Sequence, residues 1–192
     1  FDLPVALDYV LKPGEERVTL RVTMLNPAAE PVDFTGRQAL AFFQSSRSSL
    51  YTEGKGYATP DTRTPFVVFD ADAAGDPGRG AFGIRAPEGL RYLISQSGFY
   101  YFLGQTYAVP GCGRDERTLA EVFVGPGLDG VRAAMRRADG DTTWKPLSGQ
   151  VTLGDGSPAA GAVVHVLSED GQRYLTRGIV DGRGTFTVQA PP

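Results

Sequence analysis

The chain has 192 residues, 41% of them hydrophobic and 21% charged, a length that buries roughly 70% of the surface of its unfolded form and a balance that excludes a disordered or fibrous protein. Its 19 Lys and Arg against 22 Asp and Glu leave a net charge of −3 with no basic run or basic face, so no nucleic-acid partner is expected. Cys112 stands alone, which excludes an intrachain disulfide and a cysteine metal cluster, and no apolar stretch is long enough to cross a bilayer as a helix.

The 25 Gly and 14 Pro are spread along the chain, so helix interiors are scarce and turns frequent. The pattern predicts an all-β protein of antiparallel strands. Val18, Leu20, Val22 and Met24 alternate with polar residues and fall on one strand face. Lys12-Pro13-Gly14-Glu15 ahead of them reads as a turn, so residues 9–11 and 17–25 are predicted to pair antiparallel. Further strands are predicted at 32–34, 38–44, 66–69, 81–85, 91–95, 99–107 and 119–124, an arrangement of short strands that means a sandwich or barrel. Residues 45–65 show few positions suited to burial and are expected as a long excursion between strands.

A single helix is predicted over 128–137, with Leu128, Val131 and Met135 on one face and Asp129 near the start. Residues 138–146 read as a polar linker anchored by Trp144 and Pro146. The expected division is therefore a β-sandwich domain over 1–137, the linker, and a second module over 147–192. That module reads as strand, turn and strand over 147–167, a third strand at 172–180, and a tight Asp181-Gly182 turn into a fourth.

The order Gly149-x-Val151, then Gly156-x-Pro158-x-x-Gly161-Ala162-x-Val164-x-Val166, then Asp181-Gly182-x-Gly184-x-Phe186-x-Val188 resembles the carboxypeptidase regulatory-like family. The resemblance covers Leu147 to Pro192 and implies a non-catalytic transthyretin-like or immunoglobulin-like sandwich, of the kind attached to extracytoplasmic hydrolases and cell-surface proteins. The family continues for further strands past the equivalent of Pro191-Pro192, so the module is expected to be truncated, with an open strand edge on which a dimer could form. Residues 9–26, closing in Leu25-Asn26-Pro27, resemble the opening of galactose mutarotase-like supersandwich domains. The pairing of the two is similar to the region ahead of the metal-dependent hydrolase domain in some bacterial proteins of the PHP (polymerase and histidinol phosphatase) superfamily. Together with a start at Phe1 rather than at methionine, this leads us to expect a piece of a larger bacterial extracytoplasmic protein, whose partners are the other domains of its parent chain.

Several constellations could carry chemistry. Any Ser-His-Asp or Cys-His system must run through His165, the one imidazole. His165 alternates onto the face of Val163 and Leu167, where a local hydrogen bond is the expected role. Asp70, Asp72 and Asp76 begin like a calcium loop with Gly75 in sixth place, but Ala74 and Ala81 stand where ligands five and twelve belong, so bound calcium competes with an acidic surface turn. Glu53, Asp61, Asp70, Glu88, Asp115, Glu116 and Glu121 are available as acid pairs, and their spacing selects none. The Phe99-Tyr100-Tyr101-Phe102 strand, Tyr107 and Trp144 supply the aromatics of a sugar-stacking platform, with Tyr100, Tyr107 and Trp144 as its candidate residues; core packing uses the same residue types. Cys112 in Pro110-Gly111-Cys112-Gly113-Arg114 lies on a loop beside an arginine that favours thiolate. The expected role is thus an accessory or interaction region, with a carbohydrate-binding module and a sugar epimerase or glycosidase as the alternatives.

Overall fold

The computed structural model describes residues 3–36, 39–40, 49–57, 63–71, 80–91, 100–102 and 105–192. The protein is all-β and sandwich-like, with antiparallel sheets and one helix among the described residues. In chain order the strands are β1 (Val5–Leu11), β2 (Arg17–Asn26), β3 (Val32–Gly36), β4 (Ala39–Leu40), β5 (Ser49–Thr52), β6 (Arg63–Asp70), β7 (Ala81–Arg91), β8 (Tyr100–Phe102), β9 (Gln105–Val109) and β10 (Gly113–Gly125). The helix α1 (Gly127–Ala138) follows, then β11 (Lys145–Gln150), β12 (Val163–Leu167), β13 (Tyr174–Ile179) and β14 (Thr185–Ala190).

An eight-stranded sheet runs β1-β2-β10-β7-β6-β5, with β8 joining β7 to β4, and two-stranded sheets pair β3 with β9, β11 with β14 and β12 with β13. By internal contact the chain forms two compact units. One holds residues 1–45, 59–67 and 84–123; the other holds 46–58, 68–83 and 124–192. Segments 46–58 and 68–83 of the N-terminal half fall in the unit that also holds the C-terminal strands.

In the first unit the alternation read from sequence produces the β1–β2 hairpin, in unbroken register from Val5↔Met24 to Leu11↔Val18. Leu20, Val22 and Met24 are buried; Val22 and Met24 pack with Tyr107 and Val109, with Leu3 and Phe34 against them. Asn26 ends β2 with its own side chain: its Nδ2 donates to Glu30 O (2.8 Å) and its Oδ1 accepts from Ala28 N (3.0 Å), the local amide bonding that makes asparagine a turn former. A register shift in β10 between Thr118 and Ala120 lets both Leu119 and Ala120 be buried, as expected of a β-bulge.

In the second unit α1 buries Leu128, Val131, Ala134 and Met135 and, in the same stripe, Arg132. Asp129 lies in its first turn and Arg136 and Arg137 in its last, the arrangement that suits the helix dipole. The four C-terminal strands appear where the motif order placed them.

Three expectations are corrected. Residues 49–57 are not an open excursion, because Leu50, Tyr51 and Thr52 of β5 are all buried. The strand expected at 81–85 continues to Arg91, since Pro87 is exposed and Gly89 accommodates a φ of 80° without ending it; residues 92–95 of the strand expected at 91–95 lie outside the described residues. The strand expected at 99–107 is two strands, β8 and β9.

Candidate functional site

Among the described residues, a dense gathering of chemically capable side chains lies in the second unit. β5 delivers Tyr51, and the chain then turns tightly, with Thr52 N donating to Gly56 O (2.8 Å) and Gly56 N returning the bond to Thr52 O (3.0 Å). A φ of 76° at both Gly54 and Gly56 makes this turn, a conformation open to glycine at no steric cost. It carries Tyr57 back toward Asp70 at the end of β6. β13 supplies Tyr174 and Arg177, and α1 supplies Arg132.

The three tyrosine rings form a triangle. Their centroids are 5.9 Å apart for Tyr51–Tyr57, 5.9 Å for Tyr51–Tyr174 and 5.7 Å for Tyr57–Tyr174, within the range of favourable edge-on and tilted aromatic pairs. Tyr51 Oη directs its proton to the backbone carbonyls of Tyr174 and Leu175 (3.1 and 3.2 Å) and accepts from Arg132 Nη1 (3.1 Å). Tyr57 Oη donates to Asp70 Oδ2 at 2.5 Å, and Arg177 Nε donates to the same oxygen at 3.0 Å. The Arg177 guanidinium also lies 5.4 Å from the centre of the Tyr57 ring.

The electrostatics follow from this packing. Burial pushes the Tyr57 hydroxyl far above the ordinary phenol range, and its hydrogen bond to Asp70 adds to the rise. Burial raises Tyr174 to about 12 and also raises Tyr51. For Arg177 burial opposes the charge, but the bond to Asp70 and the neighbouring tyrosines outweigh it and hold the guanidinium above its ordinary value. All three phenols therefore stay protonated at neutral pH. Asp129, half-buried, accepts from Thr176 Oγ1 (3.1 Å) and Gln189 N (3.0 Å). Its carboxyl is nonetheless raised, chiefly by burial.

The residues named from sequence are distributed as follows. Asp70 is 0% exposed and its Oδ2 is held by Arg177 and Tyr57. Asp72 and Asp76 lie outside the described residues. Among the described residues no group of three or more His, Cys, Asp or Glu could hold a metal ion.

Tyr107 is 0% exposed, stacked on Phe34 with centroids 5.2 Å apart and covered by the Arg117 guanidinium at 5.0 Å. It is a core residue of the first unit and presents no ring face to a sugar. The Tyr100 side chain lies outside the described residues. Trp144 belongs to the second unit and is partly exposed, with the guanidinium of Arg136 4.0 Å and that of Arg132 4.6 Å from its ring centre.

His165 sits on the exposed face of β12 with Val163 and Leu167 and shares a hydrogen bond with the Tyr174 hydroxyl, the local role expected of it. Cys112 is exposed with φ of 50°, in a turn where its N–H donates to Ala28 O at 2.7 Å.

Each described candidate acid side chain is engaged by arginine. Glu121 lies between Arg17 (2.6 Å) and Arg85 (2.6 Å), Asp115 against Arg117 (2.7 Å), Glu116 against Arg21 (3.0 Å) and Glu53 against Arg132 (3.5 Å). Asp61 and the side chain of Glu88 lie outside the described residues. Sequence reasoning missed Tyr51, Tyr57, Tyr174, Arg132 and Arg177. Arg132 carried a signal, since it falls four positions after Leu128 within the apolar stripe of α1. Comparison with protein-family models, with curated proteins and with solved structures gives no match.

Proposed function

We propose that this chain is a non-catalytic accessory and interaction region of a larger bacterial extracytoplasmic protein, supporting a hydrolase domain elsewhere in the same parent chain. The observation that supports this reading is the engagement of the candidate acids by arginines. Glu53, Asp70, Asp115, Glu116 and Glu121 each pair with at least one guanidinium. A general acid or nucleophile needs a carboxyl group aimed at substrate, with a proton affinity tuned to its task, whereas a carboxylate fixed between two arginines, as Glu121 is, holds strands together. Likeness to the carboxypeptidase regulatory-like and mutarotase-like families points the same way.

The test is turnover. The chain is assayed against a panel of aldoses for epimerisation and of aryl glycosides for hydrolysis, with Glu121→Gln as the comparison. No turnover is expected from either protein. Turnover that Glu121→Gln abolishes would replace this reading with the sugar-active enzyme.

A carbohydrate-binding module is the second reading, supported by Trp144, a partly exposed aromatic side chain of the kind on which a sugar ring stacks. Glycan-array binding that Trp144→Ala removes is the result that reading expects.

A further inference from the structure

Strand β1 ends the eight-stranded sheet, and among the described residues no strand pairs with its outer edge. Leu25 N donates to Pro4 O at 3.0 Å, which continues the β1–β2 register by one residue. Hydrogen-bonded and non-hydrogen-bonded pairs alternate along an antiparallel ladder. Residues 6, 8 and 10 therefore turn their backbone groups toward β2, while Val5, Leu7, Tyr9 and Leu11 turn theirs outward.

The same four residues carry an exposed apolar row, at 58%, 45%, 67% and 67% exposure. Three of their direct partners on β2, Met24, Val22 and Leu20, are buried. Residues opposite each other in a ladder share a face, so the apolar face that is closed over at β2 continues onto β1 and is open there. Natural edge strands are usually guarded by lysine, proline or a bulge. Val5–Leu11 contains neither lysine nor proline, its register with β2 is unbroken, and its one charge is Asp8.

We propose that β1 pairs antiparallel with β1 of a second copy of this chain, about a two-fold axis at Asp8. The occupant follows from the sequence of the edge itself. A two-fold at Asp8 sets Val5 opposite Leu11 and Leu7 opposite Tyr9, so every outward-bonding residue meets an apolar residue that is also outward-bonding, and Ala6 meets Val10. Shifting the register by two residues leaves part of each strand unpaired. The one unfavourable juxtaposition is Asp8 against Asp8. On each copy Arg21, opposite Asp8 in the ladder, brings its Nε to 3.9 Å from the Asp8 carboxylate, and that Nε is buried without a hydrogen-bond partner. The facing carboxylates thus arrive with two guanidinium groups beside them, each of which also binds Glu116 at 3.0 Å.

The experiment uses the whole 192-residue chain with Cys112→Ser as background, and follows mass by sedimentation equilibrium up to about 100 µM, where even weak pairs are populated. A dimer is expected. Tyr9→Lys, at a position exposed in the monomer and checked for folding by circular dichroism, should weaken it at least about tenfold by placing a charge opposite Leu7. Asp8→Asn should tighten it by about threefold by removing like charges directly opposite each other. Asp8→Cys should give a disulfide-linked dimer under mild oxidation, because non-hydrogen-bonded partners bring their Cα atoms within disulfide reach. A chain that stays monomeric throughout, a dimer indifferent to Tyr9→Lys, or an Asp8→Cys protein that does not cross-link overturns the proposal.

Discussion

Asp70 and Arg177 lie 107 positions apart and meet inside the second unit, the carboxylate 0% and the guanidinium side chain 7% exposed. A buried pair of this kind contributes little over an apolar pair of equal volume, but removing one partner leaves the other charged and unmatched, at a cost of roughly 3–5 kcal/mol. Asp70→Leu should therefore destabilise the chain by about that amount, measured as a shift of the urea midpoint, and should free the Tyr57 hydroxyl for an upfield or downfield shift in its ring resonances. Adding Arg177→Met should restore part of the loss, because the unmatched cation goes with it. Equal losses for single and double variants would show that packing rather than charge sets the cost. None of this was legible in the sequence. Asp70 sits in Asp-Ala-Asp-Ala-Ala-Gly-Asp, which locally resembles a metal loop, and its true partner is on another strand far along the chain. Tyr51 was hidden for the same reason, since its hydroxyl bonds residues 123 and 124 positions away. His165 was legible because its neighbours in β12 alone decide which face it takes.

The C-terminal strands show why some elements can be read locally. Several of the positions that the motif fixes have a steric or hydrogen-bonding reason. A Cβ at Gly149 would lie 2.6 Å from the Phe186 ring, its partner across the β11–β14 ladder. Gly184 takes φ of 82°, and a Cβ there would lie 2.9 Å from Val151 O. Asp181 ties the β13–β14 turn, with Oδ1 accepting from Arg183 N (2.9 Å) and Thr185 N (2.8 Å) and Oδ2 from Thr185 Oγ1 (2.8 Å). These bonds, that from Thr185 N foremost, hold the Asp181 carboxyl below its ordinary value of 3.8. The folded state thus favours the carboxylate. Its contribution is complete above the unfolded value and is lost as pH falls through the lower folded one. Asp181→Ala should lower Tm at neutral pH, and the gap to the parent chain should close as the solution is acidified below that range. A gap that persists unchanged in acid would mean that the aspartate acts through its shape in the turn rather than through its charge. The same local legibility fails for β7, where Pro87 and Gly89 mark a break that the sheet overrides through pairing on either side.

At the scale of the molecule two properties compete to set solubility: a modest net charge of −3 with a pI near 5.2, and the open row of Val5, Leu7, Tyr9 and Leu11. The all-β, sandwich-like class followed from composition and alternation, because short alternating strands between glycine and proline turns leave few other ways to bury one face. The open row did not, since β1 alternates just as a half-buried strand does and only the packing over β2 shows where the cover stops. The two properties separate at Tyr9. Tyr9→Lys brings the net charge to −2 and Tyr9→Glu to −4, from −3 in the parent, while both place a charge in the row. If self-repulsion governs association at neutral pH, the lysine variant should scatter more light than the parent and the glutamate variant less. If the apolar edge governs it, both should scatter less, because a charge of either sign on an edge strand opposes strand addition. The second outcome is expected, measured by static light scattering across a concentration series at one ionic strength, and opposite responses of the two variants would assign the behaviour to net charge instead.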